Sequence, residues 1–384
     1  MLRLPTARLI RFVLLSQERN VNHHSSFRRF SAVRAPVRRL VLGLAAVSAM
    51  VLGMAGIGAG AAAADTVIAT IDVGDSPQGV AITPDGSRAY VANFSDNSVS
   101  VIDTSTNTEL TTVPLGAGSL PVGVAVTPDG SHVYVAKAGA GAVDVIETAG
   151  NTVDDTVPVG SGPSGVAASS DGSYIYVANS GSDSVSVIDT GTNMVDATVI
   201  VGDAPNDLAV TPDGSHVYVA NNSDGDVDVI ETAGNTVDDS VTVGNLPRGV
   251  AVTPDGSRVY VANLSDGTVS VIDTGSNTVV DTVTVGNSPT GVAVTPDGSR
   301  VYVANGVDNT VSVIDTGTNT VIDTVTVGGG PLGVAVTPDG SRVYVTNRLD
   351  DTVSVIAVET CLGSLCIDFG SLTGSGSGAG STFS

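Results

Sequence analysis

This chain of 384 residues has no tryptophan, two cysteines, four histidines and 4% aromatic residues. Each scarcity excludes something. Both cysteines, Cys361 and Cys366, lie close together near the C-terminus, so no disulfide framework can staple a fold this long. Only His132 and His216 of the histidines lie beyond residue 24, and they are too far apart in sequence to suggest a histidine metal cluster or a base–nucleophile pair. Positive charge is also scarce. Residues 1–64 hold nine of the 16 Lys and Arg and one of the 39 Asp and Glu, leaving seven basic and 38 acidic residues from 65 onward, a net of −31. Such a surface repels nucleic acid and anionic lipid, so neither is expected as a partner. Past residue 64 there is no long apolar run and no helical period.

The one long apolar run is "LVLGLAAVSAMVLGMAGIGAGAAAA" (40–64), after a basic segment. A basic n-region, an apolar h-region and a small-residue zone make an export signal, with Ala62-x-Ala64 before Asp65 the preferred cleavage site. The 25-residue run is long enough to span a bilayer, so an uncleaved anchor is the alternative, and the only membrane contact expected. In both cases the Arg-rich side stays in the cytoplasm, and the remainder is extracytoplasmic, secreted or held at the cell surface.

What the sequence has in abundance is repetition. The turn "TPDG" or a worn copy recurs with its Asp at 85, 129, 171, 213, 255, 297 and 339, six steps of which one is 44 residues and the rest 42. One period reads as four strands. "GVAVT" (291–295) is a short apolar run, and "TPDG" a type I turn with Pro296 where φ is fixed and Gly298 where a left-handed residue is needed. "SRVYVAN", "VSVID" and "VIDTVTV" follow as strands separated by turn residues. A lone four-stranded sheet of 42 residues cannot bury two apolar faces, so each sheet needs a neighbour on both sides. Seven around an axis satisfy that need: an all-β, seven-bladed β-propeller with four antiparallel strands per blade. The repeat region opens with a fourth strand, "TVIATIDVG" (66–74), and ends with a third, "TVSVIAV" (352–358), so the N-terminal strand should close the last blade. The expected organisation is 1–64 signal or anchor, 65–358 propeller, and 359–384 a flexible Gly/Ser tail carrying the two cysteines.

The motif "YVTN" (344–347), its variants ending YVAN or YVAK, and the frame P-x-G-V-A-V-T-P-D-G-S resemble the YVTN-type β-propeller repeat over about 66–358. That resemblance implies a seven-bladed propeller in an extracytoplasmic protein of the surface-layer or secreted bacterial kind, and no single shared activity. The absence of Trp argues against WD40, YWTD and quinoprotein blades.

Candidate site residues come from variation inside the invariant frame. The residue after each crossing-loop Pro changes from blade to blade: Gln78, Val122, Ser164, Asn206, Arg248, Thr290 and Leu332. These enter the innermost strands at the top mouth of the axial channel and are the candidate ligand-binding ring. Arg248 is read as its only charge, and the candidate for an anionic group. At the loop tips, Phe94, Leu264 and Arg348 are candidate partner contacts, the first two as exposed apolar tips. No catalytic residue is named. Propeller lyases and lactonases, which this fold resembles, use His, Glu or metal-binding carboxylates at the mouth, and the ring is read as having none. Asp224, Asp226 and Asp228 resemble part of a calcium loop without its Gly and Glu, a weak metal candidate; no other cofactor is expected. The turn Asp residues and the repeated Tyr are read as structural. Cys361 and Cys366 are a candidate disulfide, worth roughly 2 kcal/mol in so short a loop. The function expected is a non-catalytic binding module, monomeric, engaging an envelope glycan or protein; a lactonase- or lyase-like enzyme is the alternative.

Overall fold

The computed structural model describes residues 64–362 and 365–367. The basic segment and the apolar run before Ala64 lie outside the described residues, as does the tail from 368. Among the described residues there is no helix long and apolar enough to cross a membrane.

Each repeat folds as a four-stranded antiparallel meander. Blades 1 to 6 span 77–114, 121–158, 163–200, 205–242, 247–284 and 289–326. Blade 7 takes three strands from 331–357 and its outer strand, Thr66–Asp72, from the start of the repeat region. That strand pairs antiparallel with Thr352–Ala357, Thr66 opposite Ala357 and Asp72 opposite Thr352. The innermost strands touch in blade order, the seventh meeting the first, so the ring is closed.

The core lies between blades. Seven apolar clusters each join one blade to the next; Tyr90, Val99 and Val101 pack on Val133, Val135 and Ile146, for example. Alternation explains this: both faces of the two central strands of each blade are buried against neighbours. In five blades the repeated Tyr sends its hydroxyl to an Asn on the next blade, as Tyr90 to Asn151 Oδ1 at 2.8 Å. Those Asn residues sit at positive φ, between 48° and 53°, in the third-to-fourth turns, where a short polar side chain tolerates the left-handed region.

The bottom turns follow the expected chemistry. Asp85 Oδ1 accepts the Thr83 hydroxyl at 2.6 Å and the Ser87 amide at 3.0 Å, and Gly86 has φ 71°. All seven copies repeat these two bonds, with Ser169 replacing Thr in the third. The Thr hydroxyl and then the Ser amide hold the Asp129 and Asp213 carboxyls down to about 2.

Two blades depart from the common plan inside their sheets. In blades 1, 3, 5, 6 and 7 the strand-ending Asn is fully buried and donates to Ser or Thr hydroxyls of the third strand, as Asn93 does to Ser98 and Ser100, whereas in blade 4 Asn221 donates to the Asp226 carboxylate. Blade 2 has Lys137, Ala142 and Asp144 at these positions, and Lys137 Nζ lies 2.5 Å from Asp144 Oδ1, both side chains under a tenth exposed. Past the last blade, Thr360–Leu362 pairs with Leu365–Ile367 and sets Cys361 opposite Cys366. Directly opposed antiparallel residues have Cα atoms about 4.5–5.5 Å apart, within the range a disulfide spans.

Candidate functional site

Each innermost strand is entered through a crossing loop held in a strained shape. The residue before the crossing Pro has positive φ in every blade, including the non-glycines Ser76, Leu120, Ala204, Leu246 and Ser288. A side-chain oxygen from the preceding blade fixes several of these amides: Asp351 holds Ser76, Asn97 holds Leu120, and Asp183 holds Ala204. The residue after each Pro is thereby placed at the channel mouth by rigid backbone rather than by a mobile loop.

All seven ring candidates, Gln78, Val122, Ser164, Asn206, Arg248, Thr290 and Leu332, line one axial cavity of about 120 Å³. At about 10–15 Å³ per water on this measure, it admits roughly ten waters, or the end group of a larger ligand. The ring is not uniform. Val122 and Leu332 are its apolar members and stand on either side of Gln78. The Ser164 hydroxyl turns to the carbonyls of Ala178 and Pro205, and the Thr290 hydroxyl to those of Ala304, Pro331 and Leu332, so both are satisfied by backbone.

The next residue along is Gly in six blades because the innermost strands crowd at the axis: a Cβ at Gly123 would lie 2.1 Å from the Ser164 carbonyl oxygen. Blade 4 breaks the rule with Asp207, which also lines the cavity. Its strand is set differently, with Asp207 opposite Ala220, whereas in the other blades pairing resumes one residue later. The carboxylate lies over Gly165, its Oδ1 only 2.7 Å from where a Cβ there would sit, and Oδ2 accepts the Val250 amide at 3.3 Å. Burial in the narrow channel pushes this carboxyl up to about 6, against the pull of the Leu208 and Val250 amides and of Arg248. Burial lowers the Arg248 guanidinium, as does the nearby charge of Arg348, while Asp207 raises it. Arg248 stays cationic, since a guanidinium does not deprotonate in proteins.

The mouth thus holds one carboxyl that burial raises to about 6 and one confined cation, and Arg348, outside the cavity lining, is near enough to lower the pKa of that cation. Among the seven ring residues Arg248 is the only charge and none is a carboxylate, but the cavity reaches one residue further along blade 4, where Asp207 adds the carboxylate that the ring leaves out. The signal lay in "GDAPND" (202–207), the one crossing that breaks the G-x-x-P-x-G frame; attention to the residue after Pro passed over the residue following it.

Of the tip residues, Arg348 is exposed, whereas Phe94 and Leu264 are half-buried. They are therefore not the exposed apolar tips expected; that description fits Val307 and Leu349, one position further along the equivalent loops of blades 6 and 7, at 67% and 72% exposure. The three Asp residues of the calcium-like stretch each serve a different protein donor. Asp224 accepts the Asp203 amide, Asp226 the Asn221 side chain and the Ser240 hydroxyl, and Asp228 the Gly202 amide. Among the described residues, no group of three or more His, Cys, Asp or Glu is arranged to hold a metal ion.

Residues 65–358 match the model of the virginiamycin B lyase family. The resemblance to propeller repeats therefore holds at the level of a propeller family, without singling out the YVTN or surface-layer type. Among solved structures, a hydrazine synthase chain from Kuenenia stuttgartiensis is similar, at 24% identity and a TM-score of 0.69, over 79% of this chain and 99% of that one. At that identity the likeness bears on fold alone. No curated protein matches this chain.

Proposed function

The chain belongs to the virginiamycin B lyase family, and we propose that it is a binding module whose axial mouth takes a small anionic, hydroxyl-bearing group. The observation that carries this reading is the convergence of Asp207 and Arg248 in one cavity, within the field of Arg348. Arg248 offers a planar, desolvated fork to a carboxylate, and Asp207 accepts from a neighbouring hydroxyl. The side chains of Val122 and Leu332 offer apolar contact to the carbons of a sugar ring, with the polar Gln78 between them. The acidic sugar of an envelope glycan fits this description, and such a partner agrees with an exported, surface-held protein.

The test is calorimetric titration of the purified protein with a monosaccharide uronate and with its neutral parent sugar, at pH 5 and pH 7.5. The uronate should bind and the parent should not; binding should be tighter at pH 5, where the Asp207 carboxyl is protonated and no longer repels the anion. Arg248→Ala should abolish it. Equal behaviour of the two sugars would refute the reading. A pull-down against fractionated cell envelope, with and without calcium, then asks whether the partner is macromolecular.

A second reading is favoured by one specific observation. A carboxyl titrating near 6 beside a guanidinium is the pairing of a general base with a group that stabilises developing negative charge. The family takes its name from a lyase acting on virginiamycin B, and in such an elimination Asp207 would take the proton. Turnover of a β-eliminable substrate, lost in Asp207→Asn, would establish this reading over simple binding.

A further inference from the structure

Ring closure depends on a residue that the repeat pattern does not supply. Tyr302 of blade 6 has no Asn to reach on blade 7, because that blade's third and fourth strands come from opposite ends of the repeat region and no third-to-fourth turn joins them. Asp65 fills the position. Its Oδ2 accepts the Tyr302 hydroxyl at 2.6 Å, and its Oδ1 accepts Arg300 Nη1 at 3.1 Å and the Glu359 amide at 2.8 Å. Arg300 also donates to the Glu359 carbonyl, tying both ends of the propeller to blade 6. Asp65 is 6% exposed, while Ala64 before it is exposed. The backbone nitrogen of Asp65 faces a second carboxylate, Asp323 Oδ2, at 2.9 Å.

Three independent observations stop at the same bond. The small-residue pattern Ala62-x-Ala64 ends there, the family match begins at 65, and among the described residues Asp65 is the first whose side chain bonds into the fold. We propose that the chain is processed between Ala64 and Asp65, and that the ammonium group released pairs with Asp323 to lock the closing blade. The step is a hydrolysis by an envelope peptidase: water adds across the Ala64–Asp65 peptide bond, giving the Ala64 carboxylate and the Asp65 ammonium. Peptide N–H and ammonium both donate to Asp323, but only the ammonium adds a charge to face its carboxylate. With Asp65 and Arg300 already paired, that new charge has Asp323 as its counterion.

The test starts from the full chain in an exporting bacterial host. Intact mass and N-terminal sequencing of the product should give Asp65 as the first residue. The α-amine can then be modified selectively at about pH 6.5, because an α-amine is ordinarily a far weaker base than a lysine ammonium, and beyond residue 64 the one lysine is Lys137. Acetylation, which removes the charge, should lower the folding equilibrium constant in denaturant titration about three- to fivefold. Reductive dimethylation, which keeps the charge, should leave it near its starting value, and Asp323→Asn should erase the effect of acetylation. A terminus at any other residue overturns the proposal. So does acetylation without effect, or with the same effect in Asp323→Asn.

Discussion

The buried ion pair of blade 2 offers a direct trial of how these blades tolerate charge. Lys137 and Asp144 stand where five other blades place Asn and Ser and blade 4 places Asn and Asp, and the Asp144 carboxylate also accepts the Thr156 hydroxyl at 2.6 Å. Removing one partner of such a pair costs about 3–5 kcal/mol, because the survivor keeps its desolvation penalty and loses its counterion. Asp144→Ser strands the ammonium and should cost that much. For a propeller of roughly 300 residues, unfolding entropy near 2 cal/mol/K per residue converts this to a fall in Tm of about 5–8 °C. Lys137→Asn should cost less, about 1–2 kcal/mol, because blade 4 already houses Asn221 beside Asp228 at the same two positions.

The double change Lys137→Asn with Asp144→Ser rebuilds the uncharged arrangement of Asn93 and Ser100 and should return stability to within about 1 kcal/mol of the parent. Thermal and urea unfolding of the four proteins would decide it. If Asp144→Ser alone is neutral, or the double variant is no more stable than Asp144→Ser, the pair is not desolvated as described and the reasoning fails.

Other consequences are equally measurable. Asp207 has its carboxyl raised from 3.8 to about 6, so the folded state holds the proton more tightly than the unfolded chain. Its contribution to stability should fall as pH rises from about 4 through 6, by about 3 kcal/mol in all, and Asp207→Asn should flatten that slope in urea titrations across the window. The bottom-turn Asp residues act in the opposite sense. Their carboxyls are lowered, so the stability they lend is present above about pH 4 and is lost as pH falls toward 2; acid titration followed by circular dichroism should show unfolding set in below about pH 4. At the latch, Tyr302→Phe removes a bond to a carboxylate and Tyr90→Phe a bond to an amide, so the first should cost about 1.5–3 kcal/mol and the second about 1, compared by urea midpoints.

How far the sequence could be read follows from what repetition makes visible. Seven copies on one period expose strands, turns and closure, because each copy must solve the same burial problem and does so with the same residues. That is why the TPDG carboxylates, the repeated Tyr and the borrowed strand at 66–72 were legible before any coordinates. A site in such a protein is the opposite kind of object, a departure in one copy that acts only when the ring brings it beside departures in others. Arg248 could be picked out because it is charged among neutral neighbours. Asp207 was hidden because it replaces a Gly whose role, close approach of innermost strands at the axis, is not apparent in one dimension; its meaning comes from Gly165 one blade away and from a pairing shift within its own sheet. Asp65 was hidden for a related reason. It lies outside the repeat and was noticed as the residue after a cleavage site, while its structural partners, Tyr302 and Arg300, are more than 230 positions distant. In both cases the informative residue is the one that breaks a pattern where two blades meet, and the search for function in a propeller should begin with such exceptions.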